Sequence, residues 1–231
     1  MKILFVAAEV APFAKVGGLA DVAGSLPKAL AKLGHEVKII LPKYRQVNSE
    51  KWGLVKFIEN WEISRPLPEL KRNFDAYKSK LPKSNVEAIF ISNDFYFNRA
   101  ESYQDHGQDY PDNAERFAFF CRAVMAVSQG LNWHPDIVHC HDWQTALVPT
   151  YQKLFYVDDP FWRNVKSVYT IHNLAYQGLF PPEKLKILGL PDWTFKPNSV
   201  EFWGKINLMK AGLVYSDKLN TVSQRYSEEL Q

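Results

Sequence analysis

A lysine two residues ahead of a glycine pair, in the run AEVAPFAKVGGLADVAGSLPKAL from Ala8 to Leu30, is the first place in this 231-residue chain where residue types could do chemistry. Lys15 is a mobile cation. Gly17 and Gly18 stand where a short apolar run gives way to a helix-like pattern. Backbone N–H groups at a helix N-terminus favour an anion, and a nearby ammonium adds to that field. The same residues also suit a tight turn with a solvent-facing Lys, and both readings stand on spacing alone. The spacing K-x-G-G is neither the Walker loop nor G-x-G-x-x-G.

A second cluster is HCHDW, from His139 to Trp143. On a strand, His139 and His141 point to one face, as a zinc site needs, but no third ligand follows at a suitable spacing. A packed core histidine plus a loop histidine is the plainer reading. Asp142 is the stronger candidate, because a carboxylate at a strand end can hold a sugar hydroxyl or a cationic transition state. His172, at the end of KSVYTIH, either binds or caps its loop. No G-x-S-x-G elbow and no catalytic Cys–His signature occurs.

These residues need a scaffold, and the hydrophobic pattern supplies one. Ile3–Ala8 is continuously apolar and predicts a strand buried on both faces. Leu19, Val22, Ala23, Leu26, Leu30 and Leu33 form a helical stripe closed by Gly34, with Pro27 kinking the helix or opening a fresh turn. EVKIIL then predicts a second strand, completing a βαβ unit with a parallel pair. Between Tyr44 and Asn93, three strand-like runs broken by Pro66, Pro68 and Pro82 predict an antiparallel excursion that returns to the sheet. Beyond a polar loop ending at Pro111, DNAERFAFFCRAVMAVS predicts a helix with Phe117, Phe120, Cys121, Val124 and Ser128 on one face. DIVHCH and KSVYTIH predict strands around a helix, WQTALVPTYQKLFY, kinked at Pro149. VEFWGKINLMKAGLVYS predicts a helix, KLNTVS a strand, and QRYSEELQ a helix opened by Ser223 as N-cap.

Strands alternating with helices give an α/β class with a doubly wound parallel sheet. Such sheets bind ligands outside the carboxyl ends of their strands. Polar residues gather at those ends here: Glu9, Lys15, Gly17 and Gly18; His139, His141 and Asp142; His172, Asn173, Tyr176, Gln177 and Gly178. The first turn lacks G-x-G-x-x-G and no ribose-reading acid follows the second strand at LPKYRQ, which argues against a dehydrogenase.

A formal charge of +3 is too small to argue for nucleic acid or a membrane surface, though it leaves room for a local patch facing one anionic ligand. The two cysteines, Cys121 and Cys140, form no framework, which favours a reducing compartment. The N-terminal apolar run is too short for a signal-peptide core, so a cytoplasmic protein is expected. Aromatic residues reach 14%, with seven Trp, enough for a dense core and for stacking against sugar rings.

KILFVAAEVAPFAKVGGLADVAGSLPKAL, HCHDWQTALVP, YTIHNLAYQG and KAGLVYSDKLNTVSQRYSEEL occur in one order. Together they resemble the bacterial glycogen synthase and plant starch synthase family, over the N-terminal half of its two facing Rossmann-like domains. The resemblance implies the GT-B glycosyltransferase architecture, with residues 1–231 as the first domain and the nucleotide-binding C-terminal domain outside this sequence. It implies metal-free transfer of glucose from ADP-glucose to the non-reducing 4-hydroxyl of an α-1,4-glucan, with retention. By that resemblance Lys15, Gly17 and Gly18 face the donor's diphosphate and glucose. Asp21, Asp142 and His172 line the catalytic centre, with the His172 main-chain carbonyl toward the forming cation. Glu9, Phe97, Arg99, Tyr103, Asn173, Tyr176 and Gln177 are acceptor-side. Val16 departs from the small residue many members carry there. The family's principal nucleotide-binding Arg and Lys lie in the other domain, so little activity is expected of this half alone. Two other readings are a free-standing glucan-binding module and a UDP-sugar transferase of the same architecture.

Overall fold

The computed structural model describes residues 1–63 and 73–230. Strand β1 (Lys2–Val6) is buried on both faces, as its unbroken apolar run requires. Helix α1 (Gly18–Lys32) follows, then β2 (Glu36–Pro42), parallel to β1. The helix ends in a Schellman motif: the His35 amide donates to the Leu30 carbonyl at 3.2 Å and the Gly34 amide to Ala31 at 3.0 Å. Gly34 takes φ +88, which only glycine adopts freely.

The buried face of α1 is rotated from the stripe read in the sequence. Ala20, Gly24 and Pro27 are buried beside Leu19 and Ala23, whereas Leu33 is 74% exposed. Pro27 lies inside one continuous helix and opens no fresh turn. Gly24 is there for contact: a Cβ would stand 2.5 Å from the Ala11 carbonyl oxygen. The Ala11 amide donates to the Ala20 carbonyl at 2.9 Å, so this loop is fastened to the helix.

Strands β3 (Val55–Glu62), β4 (Asn73–Lys80) and β5 (Glu87–Ser92) form the antiparallel excursion, and β5 returns parallel to β2. Pro66 and Pro68 lie outside the described residues. A short helix α2 (Asp94–Phe97) and a two-residue hairpin, β6 (Gln104–Asp105) with β7 (Gln108–Asp109), occupy the polar loop. Helix α3 (Asn113–Gly130) is buried nearly all round, not on one face. After β8 (Ile137–His141) a single 3₁₀ turn leads to α4 (Leu147–Phe155), where Pro149 sits in the first turn and no kink is needed.

Strand β9 (Lys166–Ile171) precedes a small sheet of β10 (Leu179–Phe180), β11 (Glu201–Phe202) and β12 (Lys205–Asn207). This corrects the single helix read over VEFWGKINLMKAGLVYS. Trp203 and Gly204 both take positive φ, +50 and +76, and reverse the chain between β11 and β12. Helix α5 (Leu208–Tyr215) starts only at Asn207, whose side chain caps the Lys210 amide at 2.9 Å. Strand β13 (Lys218–Thr221) and helix α6 (Gln224–Glu229) are the last elements among the described residues, with Ser223 as N-cap of the helix.

The main sheet runs β13-β9-β8-β1-β2-β5-β4-β3, six parallel strands with an antiparallel pair at one edge. From β1 the chain winds outward through β2 and β5, then restarts at β8 and winds the other way. Right-handed crossovers put the two sets of helices on opposite faces, and the order reverses between β1 and β8. That crevice receives the loops after Val6 and His141. No helix among the described residues is long and apolar enough to cross a membrane.

Gly24→Ala should lower unfolding stability by about 1–3 kcal/mol, since the new methyl meets a carbonyl that the Ala11–Ala20 bond holds in place. Gly18→Ala, with no atom within 4 Å of its Cβ, should stay within about 0.5 kcal/mol of the parent. Urea unfolding of the three proteins makes the comparison.

Candidate active site

Asp142 occupies the tip of β8 at φ 55, ψ 179, a conformation that is almost exclusively glycine's. The strain has a visible return. Asp142 Oδ1 accepts the His172 amide at 2.7 Å, and the Asn173 amide also bonds to this carboxylate. Its own amide donates to the Thr170 carbonyl at 3.0 Å. The turn from β9 is therefore tied to the end of β8 by a buried carboxylate. A trans peptide points its N–H and C=O in opposite directions, so the His172 carbonyl faces away from Asp142. Burial pushes the Asp142 carboxyl up to about 6, against the two amides, with the Glu9 charge adding to the rise.

Three imidazoles pack behind it. His139 and His141 have ring centroids 4.2 Å apart, and His141 lies 4.1 Å from the Phe5 ring in a stacked arrangement. His141 Nδ1 and His172 Nε2 are 2.9 Å apart, so one nitrogen carries the proton and the other accepts it. His139 Nε2 meets Thr170 Oγ1 at 2.7 Å, and Thr170 donates onward to Asn220 Oδ1 at 2.5 Å, which leaves His139 Nε2 as the donor. Burial pushes His139 and His172 down to about 4 and His141 well below the ordinary histidine value. The cluster is neutral, internally bonded and short of anionic ligands. No group of three or more His, Cys, Asp or Glu among the described residues could hold a metal.

The lysine loop lies on the neighbouring strand. Glu9 is buried, and its Oε2 accepts the Val16 and Gly17 amides at 2.6 and 2.8 Å. Of the glycine pair read as offering amides to an anion, Gly17 therefore has its N–H taken by Glu9, as does Val16 before it. Gly17, at the N-cap, has no side chain with which to cap α1, and Gly18 at the start of its first turn is exposed. Gly17 has φ −131, and neither glycine needs a left-handed conformation or meets any atom within 4 Å of a Cβ. Their missing side chains clear space in front of the loop. Lys15 Nζ reaches both Asp21 oxygens, at 2.7 and 2.8 Å, across an exposed pair.

The acceptor-side expectations divide. Phe97 is wholly buried against Tyr44, Phe119 and Phe120, so no ligand reaches it. Arg99 is a bidentate partner of Asp112, at 2.7 and 2.5 Å, with its guanidinium 4.6 Å from the Tyr110 ring. Both belong to the framework, because their partners are internal. Tyr103 is half-buried and donates its hydroxyl to Glu9 Oε1 at 2.8 Å. Beyond β9, Asn173 Oδ1 accepts the Ala175 amide, Tyr176 is 69% exposed, and Gln177 Oε1 accepts from Asn207 Nδ2 at 2.6 Å. Gly178, at φ +63, lies against the Trp143 ring. Tyr226 of α6 reaches back to accept the Leu174 amide at 2.9 Å.

Several supports were not singled out in the sequence. Thr145 Oγ1 accepts the His141 amide at 2.6 Å and Thr170 joins His139 to Asn220. A hydroxyl interrupting an apolar strand was the available signal for Thr170. Tyr226 gave none, because it acts across a long sequence separation, and Asn207 offers only the local signal of a helix N-cap, not its bond to Gln177.

Folding favours neutral His139 and His172, so stability from them is full above the ordinary value of 6.5 and is lost as pH falls toward 4. Asp142 acts oppositely: the folded chain keeps its proton between the ordinary 3.8 and about 6, so stability from this group declines as pH rises through that window. Asp142→Asn should therefore make unfolding free energy fall more steeply on acidification from about pH 6 to 5, by roughly 1 kcal/mol per pH unit. Denaturant midpoints across that range test it; an unchanged slope would remove Asp142 from the titration.

Residues 2–231 match the family described as starch synthase catalytic domain. The glycogen synthase of Thermotoga maritima is 48% identical over 235 residues, covering all of this chain and 47% of that protein. Glycogen synthase 2 of Geobacter sulfurreducens is 42% identical with the same coverage. The solved catalytic domain of starch synthase IV from Arabidopsis thaliana, bound to ADP and acarbose, superposes with a TM-score of 0.85 at 30% identity, over 99% of this chain and 46% of that one. The chain spans about half the length of the curated relatives it matches. With a family match along nearly its whole length, a GT-B neighbour and a site at the switch point, the chain belongs to the starch synthase catalytic-domain family.

Proposed function

We propose that residues 1–231 are the first of two domains of a retaining glucosyltransferase that moves glucose from ADP-glucose to the 4-hydroxyl of an α-1,4-glucan. The observation that carries this is the Asp142 turn. A buried carboxylate spends backbone strain to fix the 172–173 peptide, with its carbonyl directed away from Asp142 and, among the described residues, no hydrogen-bond donor on it. A fixed carbonyl dipole is suited to a sugar carbon that turns cationic as its leaving group departs.

On the other side of the crevice, Lys15 trades Asp21 for the donor's diphosphate, and the Gly18 and Leu19 amides add partial positive charge. The bond from glucose C1 to the diphosphate oxygen breaks while the acceptor's 4-oxygen bonds to C1 on the same face. The hydroxyl proton passes to the departing diphosphate oxygen, so the chain needs no nucleophile or dedicated base. Its contribution is position and charge. Asp21, released by Lys15, is placed to accept a sugar hydroxyl. Asn173, Tyr176 and Gln177, on the loop beyond β9, lie toward the acceptor. The ADP and acarbose held by the Arabidopsis neighbour favour an adenine carrier and a glucan-like acceptor over UDP-sugar chemistry or a non-enzymatic glucan module. Cytoplasmic residence suits such an enzyme.

In a two-domain protein carrying this sequence, Lys15→Ala should lower kcat/KM for the donor by about 10²–10³ with unfolding unchanged. Normal turnover and donor KM in that variant would overturn the assignment. The 231-residue chain alone should incorporate no measurable glucose from ADP-glucose into glycogen at ordinary enzyme concentration, and radiolabel transfer is the assay.

A further inference from the structure

Glu9 is the most fully engaged carboxylate near the crevice. Its Oε2 holds the Val16 and Gly17 amides and its Oε1 holds the Tyr103 hydroxyl, all within 2.8 Å, and only 4% of the residue is exposed. Charge-assisted bonds to a buried carboxylate are strong, and withdrawing one partner leaves the charge short of a donor in a poorly solvated place. Such a group has little capacity left for a sugar hydroxyl.

Tyr103 is itself anchored. Its carbonyl accepts the Asn113 side-chain amide at 2.8 Å and the Tyr110 amide at 3.1 Å, and its ring centroid lies 5.9 Å from that of Phe117. Asn113 opens α3 and also accepts from Arg116 at 2.7 Å, while Arg99 grips the preceding Asp112. A rigid path thus runs from the start of α3 through Tyr103 and Glu9 to the backbone from which the Lys15 side chain springs.

We infer that Glu9 and Tyr103 are positioning residues: Tyr103 sets the Lys15–Gly18 loop through Glu9, and neither contacts the glucan. This deepens the donor-loop reading given above and rests on it. The clamp joins the segment 98–112 to the donor side of the crevice. The cost of moving one is the loss of the other's bonds.

The test uses Tyr103→Phe, which keeps the ring and deletes the hydroxyl, and Glu9→Gln, which keeps one oxygen for the two amides and offers Nε2 to the Tyr103 oxygen. Amide hydrogen exchange on the 231-residue chain should speed at Val16 and Gly17 on the order of tenfold in Tyr103→Phe, with β1 and α3 unaltered. Glu9→Gln should restore most of the protection that Glu9→Ala loses. In the two-domain protein, Tyr103→Phe should raise donor KM several-fold and leave glucan KM in place. Unchanged exchange at Val16 and Gly17, or a glucan KM that rises while donor KM holds, would overturn the inference. Faster exchange with neither KM moved would keep the clamp and overturn the donor reading of the loop.

Discussion

The bond between a carboxylate and the amides of a neighbouring strand's turn is what the crevice depends on. Asp142 could relax from its glycine-like backbone only by releasing His172 and Asn173, and those amides would then lose the carboxylate they donate to. Strain of this kind costs on the order of 1–3 kcal/mol and survives only where the surroundings over-determine it. Here the Asp142 amide on Thr170, Thr145 on the β8 backbone and Gly178 packed on Trp143 each fix a different side of the same turn. Two parallel strands whose paired residues end at His141 and Ile171 are thereby held together past the sheet's edge.

Behind that turn the protein keeps its imidazoles neutral. Phe5 covers His141, and Thr170 and Asn220 complete the donor–acceptor chain from His139. Neutral rings of this kind hold shape without adding positive charge to the crevice. The only mobile cation the loop presents is Lys15, and it comes with its own counter-charge in Asp21. Fixed dipoles and one movable charge divide the work between them.

Much of this was legible in the residues. The unbroken apolar run of β1, the alternation of strand and helix, and polar residues gathered at strand ends located the sheet and the crevice, because burial on two faces leaves a strong pattern. The limits came where a local pattern was overruled from a distance. Leu33 fits the helical stripe of α1, yet the helix turns its small residues inward because Gly24 must meet the Ala11 carbonyl. Helix-like residues between Val200 and Asn207 become a hairpin because Trp203 and Gly204 accept positive φ, a choice that tryptophan does not advertise. The family resemblance puts Phe97 and Arg99 on the acceptor side, while their partners in the fold are Phe119 and Asp112, some way along the chain. Asp142 was found by its place at a strand end; its strained backbone was invisible.

The two thiols acquire a use from where they sit. Cys121 donates to the Gln144 carbonyl at 3.3 Å from the middle of α3, and Cys140 lies in β8 close to the Asp142 turn, both free and fully enclosed. Burial pushes both thiols far above the range where thiolate forms, so an alkylating reagent finds neither in the closed fold. Labelling can proceed only when the layer between α3 and the sheet parts. The pair is a built-in stopwatch: the slower the modification, the longer the strand that carries Asp142 stays seated.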